Sequence, residues 1–160
     1  MHAWISQWRE ALAEKWRWFW GLKPQAGSAT AVRGRLGEEA AALFLRERGW
    51  KIVARNWRHG RDELDLVARD GEVLVFIEVR TRTVQALVPG YHSVTGRKKR
   101  ALSRAAQAYL QGLAMPPAHF RFDIVEVKVS DSGPPEISLH TGIPLFPKNF
   151  QPARGSNRRT

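Results

Sequence analysis

The stretch Arg61–Arg82, RDELDLVARDGEVLVFIEVRTR, decides how this chain folds. It divides at Asp70-Gly71, the kind of dipeptide that makes a tight hairpin turn between alternating strands. Glu63 to Arg69 reads as one strand. Val73 to Arg80, rich in Val, Ile and Phe, reads as the next. With Asp70 and Gly71 as a two-residue loop, Arg69 faces Glu72, Val67 faces Leu74, Asp65 faces Phe76 and Glu63 faces Glu78. Side chains alternate with period two, so Glu63, Asp65, Glu78 and Arg80 share one face toward one end. Asp65 and Glu78 become diagonal neighbours, roughly 7–8 Å apart at Cα.

Like charges on facing strands destabilise the pair. The chain carries a formal net charge of +11, so carboxylates crowded at one strand end point to a cation held there. Mg²⁺ (or Mn²⁺), a hard ion that takes oxygen ligands, suits them. An edge hairpin with a solvated acidic face, balanced by Arg58, Arg61 and Arg80, accounts for the same spacing.

The 160 residues suit one domain with a real core. Lys and Arg number 26 against 15 Asp and Glu, which favours polyanionic partners, nucleic acid before anionic membrane. The absence of cysteine excludes disulfides, thiolate zinc sites and thiol nucleophiles. There is no apolar run of transmembrane length and no signal-peptide pattern at the start, so the expected location is cytoplasmic. The five His residues have no ligand-like spacing.

Outward from the hairpin, residues 33–48 read as a helix with Leu36, Ala40, Leu43 and Phe44 on a core stripe. Glu38 lies on another side, near the expected helix start, where the dipole favours a carboxylate. Gly49 suits the C-cap. Lys51 to Trp57 is a strand, and Asn56 to Gly60 turn the chain into the hairpin. From Arg33 to Arg61 eight positive charges meet three acidic residues, on a surface that is either merely solvated or tracks phosphates. Thr83 to Tyr91 reads as a loop. A second helix runs from an N-cap at Thr95 to Leu113. Its first turns carry Arg97, Lys98, Lys99, Arg100 and Arg104 with no acid, against the helix dipole. Phosphate neutralisation explains that placement, and a solvated basic face is the plainer account. His119 to Val129 and Glu136 to His140 complete the strands, with a turn at Ser132 to Pro135 between them. The result is an α/β domain with a mixed sheet and flanking helices.

Three segments follow: an appendage over 1–32, the main domain over 33–146 and a basic tail over 147–160. Five of the seven tryptophans lie in the first, at Trp4, Trp8, Trp16, Trp18 and Trp20. They join an amphipathic helix that Gly21 and Pro24 end, and residues 24–32 form a flexible linker. The Trp face packs on protein, lies at a membrane interface, or stacks on bases; packing on protein is the favoured reading, membrane contact the second.

The segments Gly34–Ala41, Gly49-Trp50, Arg55–Arg58, Glu63–Gly71, Val75–Arg82 and Arg121–Val125 together resemble the YraN-like family of small bacterial proteins, in order from about 33 to 146. The resemblance implies a restriction-endonuclease-like fold, similar to Holliday-junction resolvases, with a metal-dependent nuclease site of the PD-(D/E)xK type. Asp65 and Glu78 would be the metal carboxylates and Glu38 the helix carboxylate beside them. Arg80 stands where the pattern has lysine, and Asp62 where the family usually has glycine. Arginine can supply charge to a phosphorane-like transition state, but with a pKa above about 12 it takes no proton. Two readings follow. The chain is a metal-dependent endonuclease acting on DNA (rather than RNA), branched and single-stranded forms included. Alternatively, it is a catalytically weak or inactive nucleic-acid-binding protein on a nuclease scaffold. Arg35, Arg58, Arg82, Arg97, Lys98, Lys99 and Arg100 are the candidate phosphate contacts in both. A homodimer is implied by the likeness to resolvases.

Overall fold

The computed structural model describes residues 26–83, 95–130, 134–146 and 150. Helix α1 (Ala26–Glu47) leads into β1 (Lys51–His59), β2 (Asp62–Asp70) and β3 (Val73–Thr83). Helix α2 (Gly96–Gln111) then leads to β4 (His119–Val129) and β5 (Glu136–His140). The sheet order is β1-β2-β3-β4-β5. Strands β3 and β4 run parallel, with α2 in their connection, and the other neighbours are antiparallel. This is the α/β architecture expected, a mixed sheet with helices against it.

Each face of the sheet has its own core. On one, Ala40, Ala41 and Leu45 of α1 pack on Leu66, Ala68, Val75, Ile77, Val125 and Val127. On the other, Leu102, Ala105, Ala106 and Leu110 of α2 meet Val67, Leu74, Phe76, Phe122 and Ile124. Full burial of a large side chain such as Phe76 or Leu66 is worth about 1.5–3 kcal/mol. The alternation read along β4 holds: Phe122 and Ile124 go to the α2 side, Val125 and Val127 to the α1 side.

Four local expectations need correcting. Helix α1 begins at Ala26, not residue 33, so residues 26–32 are helix rather than linker. Its start is rich in alanine, the strongest helix former, with no proline to stop it. Glu38 therefore sits in mid-helix, and the dipole does not explain it. Strand β1 continues through His59 instead of turning at Asn56, and Gly60 and Arg61 make the turn. Asn56 stays in the strand at φ +49°, a left-handed conformation that asparagine tolerates better than most residues.

The fourth correction is to the central hairpin. Its loop is Gly71-Glu72, with Asp70 paired to Val73 and Val67 to Phe76. Gly71, at φ +56°, takes the first central position, which must have positive φ in both favoured two-residue turns. The partner of each β2 residue thus moves by two. Parity is preserved, and Asp65 falls opposite Glu78 instead of diagonal to it. The helix cap was read correctly: the Thr95 hydroxyl accepts from the Lys98 N–H at 3.3 Å. The Trp-rich helix over 1–22, the loop over 84–91 and the basic tail, Phe150 apart, lie outside the described residues.

Candidate active site

The β2–β3 ladder runs from Asp70–Val73 to Leu66–Ile77 and stops there. One step further, the Val79 N–H would meet the Leu64 carbonyl. Instead it donates to Asp65 Oδ2 at 2.8 Å. A side chain has taken the place of backbone, and the two strands part. The phase of β2 breaks at the same point, since Leu64 and Val67, three apart, both pack under α2. Strand β1 shows the same break, with Ala54 and Trp57 on that face. Between them is Asn56, which the register sets across from Asp65.

Two carboxylates meet where the strands part, Glu78 buried and Asp65 half-buried. Glu78 is 3 % exposed. Its Oε2 lies 3.1 Å from Lys98 Nζ and its Oε1 3.3 Å from Arg80 Nε. These distances suit ion pairs, but the alignment does not suit hydrogen bonds, and Glu78 Oε2 and Arg80 Nε have no hydrogen-bond partner. Burial, then the charge of Asp65, pushes the Glu78 carboxyl up to about 7. Burial also raises Asp65, against the pull of the Val79 N–H and Lys98. Glu38 is raised by burial while its bond to the Asn56 side chain opposes the shift, and the charges of Asp65 and Glu63 push it further. Four acidic residues from α1, β2 and β3 thus feel one another.

Helix α1 comes this close because position 37 is glycine. A Cβ on Gly37 would overlap the Thr81 hydroxyl. Beside that contact, Thr30, Arg33, Gly34, Glu38, Arg80 and Thr81 line a pocket of about 250 Å³. Among the described residues no group of three or more His, Cys, Asp or Glu side chains is gathered to hold a metal ion.

The family model of the uncharacterised protein family UPF0102 matches residues 37–127. The chain belongs to that family. The YraN-like resemblance is thereby borne out. A UPF0102 protein of Symbiobacterium thermophilum is 46 % identical over 100 residues, covering 62 % of this chain and 85 % of that protein. A UPF0102 protein of Porphyromonas gingivalis is 39 % identical over 129 residues, covering 79 % and 95 %. Among solved structures, Pyrococcus furiosus SfsA in complex with Ca²⁺ matches at 14 % identity, with a TM-score of 0.34 over 71 % of this chain and 64 % of that one. A likeness that slight carries no argument.

Within this UPF0102 chain the expected site residues divide into two groups. Asp65, Glu78 and Arg80 meet where β2 and β3 part, and Glu38 approaches from α1. Lys98, expected only as a phosphate contact, belongs to that group through Glu78. The others lie around it. Arg35, Arg97 and Arg100 are exposed, while Lys99 and Arg82 are half-buried. Arg58 pairs with Glu63 at 3.0 Å. Arg104, from the same basic run, is committed to Asp62 through two 2.8 Å bonds. Asn56 was missed as a site residue. Its signal was an asparagine inside a strand, where that residue is depleted.

Proposed function

We propose that this UPF0102 protein is a metal-dependent endonuclease that hydrolyses phosphodiester bonds, with DNA as substrate. The observation that carries this reading is the convergence of half-buried Asp65 and buried Glu78 where the β2–β3 ladder ends. Two carboxylates crowded together at low dielectric favour a cation between them. Magnesium commonly binds through one or two carboxylates and keeps its other positions for water and substrate phosphates. A pair of carboxylates fits that habit.

When bound, such an ion supplies Lewis-acid polarisation of a phosphoryl oxygen and a more acidic water. Hydrolysis joins a water oxygen to phosphorus and breaks the bond to the leaving sugar oxygen, which takes up a proton. The residues of the chain do the rest. Asp65, fixed by the Val79 N–H, and Glu78 hold the ion. Arg80 and Lys98 place positive charge beside the reacting phosphate. Arg97, Lys99 and Arg100 extend the positive surface along α2 for phosphates further on.

One feature favours the second reading, a nucleic-acid-binding protein that cuts poorly. Lys98 and Arg80 already neutralise Glu78 without a metal ion. Incubation with plasmid, single-stranded, four-way-junction DNA and RNA, in Mg²⁺, Mn²⁺ or EDTA, separates the two. Metal-dependent cuts that Asp65→Ala abolishes are expected. Salt-sensitive binding without cuts would establish the binding protein instead.

A further inference from the structure

A second cation stands beside Glu78. Lys98 enters the site from a different element, the first turn of α2, and its ammonium reaches Glu78 Oε2 at 3.1 Å. It is not needed to seat the helix. The Thr95 cap fixes the first turn. The two-bond pair of Arg104 with Asp62 ties the next turns to the sheet. Leu102, Ala105, Ala106 and Leu110 bury the apolar face. The first turn has no acid of its own, so a cation there works against the dipole, and Glu78 is what balances it. The contact is an ion pair at 3.1 Å that links α2 to β3.

We propose that Lys98 is the working cation of the site: it stands in for the metal ion on Glu78 when the ion is absent, and it turns to the substrate phosphate when Glu78 is taken. This rests on the nuclease reading above. The two cations then have separate duties. Arg80 lies with its Nε 3.3 Å from Glu78 Oε1, on the strand that carries both, so the strand itself fixes where its charge sits. Lys98 has a flexible four-carbon stem and a compact charge, so it can change partners within a small radius. A lysine amine beside the phosphate stabilises the charge that develops there.

The role has two signatures that a merely structural contact would not give together. In a calorimetric Mn²⁺ titration, Lys98→Met should bind about five-fold tighter than wild type or better, because a competing like charge is gone. Lys98→Arg keeps the charge and should stay near wild-type affinity. So should Lys128→Met, which removes a lysine paired with Glu136 on β5 rather than with Glu78. With junction or single-stranded DNA, Lys98→Met should cut roughly 100-fold more slowly. Tighter metal binding with slower turnover supports the assignment. Should Lys98→Met fail to fold, Lys98→Gln keeps a polar end and serves the same comparison. If wild type binds Mn²⁺, Asp65→Ala does not, and Lys98→Met matches or falls below wild type, this assignment fails and the nuclease reading stands. If neither wild type nor Lys98→Met takes up Mn²⁺ with or without DNA, the metal site itself is wrong and both fail.

Discussion

Around Arg121, carboxylates and guanidinium meet in aligned hydrogen bonds; around Glu78, charges of both signs are as close but misaligned. Arg121 donates from Nε to both oxygens of Asp123, at 3.1 and 3.0 Å, and from Nη2 to Asp70 at 2.9 Å. Asp123 also accepts the Gly142 N–H at 2.9 Å, and the Trp50 ring lies against the guanidinium. That cluster ties β4, the central hairpin turn and the chain after β5 together. Around Glu78 a second carboxylate replaces the missing hydrogen bonds, and two cations approach without alignment. Each cluster is built on a buried carboxylate of the same sheet, Asp123 in one and Glu78 in the other, so burial alone does not mark a functional site. What distinguishes them is satisfaction. A fully bonded network rigidifies, whereas an unsatisfied one has capacity left for a ligand.

The sharpest separation comes from removing one acid from each. Asp65→Ala releases the Val79 N–H and should cost only about 1 kcal/mol, while lowering metal-dependent cleavage by roughly 100- to 1,000-fold, as loss of a key electrostatic group does; a plasmid-nicking time course reads it. Asp123→Ala should do the reverse. It takes one of the two carboxylates from Arg121, strands the Gly142 N–H and costs about 3 kcal/mol of stability, read in urea unfolding. If the Asp65 variant instead loses stability as the Asp123 variant does, the contrast is broken.

Acidity gives a second separation. The folded pKa of Glu78 lies near 7, above its ordinary 4.5. The folded state therefore binds more protons than the unfolded one between those values. The stability this provides is complete below about pH 4.5 and is lost as pH rises through about 7. In EDTA, wild type should lose on the order of 2–3 kcal/mol across that window. Glu78→Gln should flatten the profile, and melting curves at successive pH values check it. A profile in Glu78→Gln as steep as wild type would move the strain elsewhere.

The smallest effect concerns how α1 reaches the open cluster. Gly37→Ala pushes the added methyl into Thr81 and should cost about 1 kcal/mol, partly offset by the better helix propensity of alanine. Thr81→Ala in the same chain should restore the loss. A double-mutant cycle with no coupling would show that the helix approach is not set at this contact.

Much of this comparison was legible in the residues. The alternating Val, Ile and Phe of β3 and β4, the apolar spacing of α2 and its Thr95 cap are local patterns, and local patterns carried over to the structure. Asp65 and Glu78 share a face in both frames, although the turn lies one residue further on than expected and each partner moves by two. A shift of two leaves every side chain on its face, so the error changed their distance and not their company. The frame itself was not legible, because Asp70-Gly71 and Gly71-Glu72 are both acceptable loops. The pairing of Val67 with Phe76 beneath α2 decides between them. The break in alternation at Asn56 and Asp65 was also hidden, since reading strands by period two assumes that no break occurs. Lys98 was seen as one of five cations on a helix. Only the packing of α2 on the sheet singles it out, by setting it against an acid 20 residues earlier in the chain.

The central claim is that the open cluster is a divalent-cation site formed by Asp65 and Glu78. Crystals grown in EDTA and then soaked in Mn²⁺, with an anomalous difference map collected at the manganese edge, test it most directly. The account predicts one strong peak between the two carboxylates, with Lys98 moved off Glu78. A map with no peak there, or with Mn²⁺ bound only elsewhere and Lys98 still on Glu78, would contradict it.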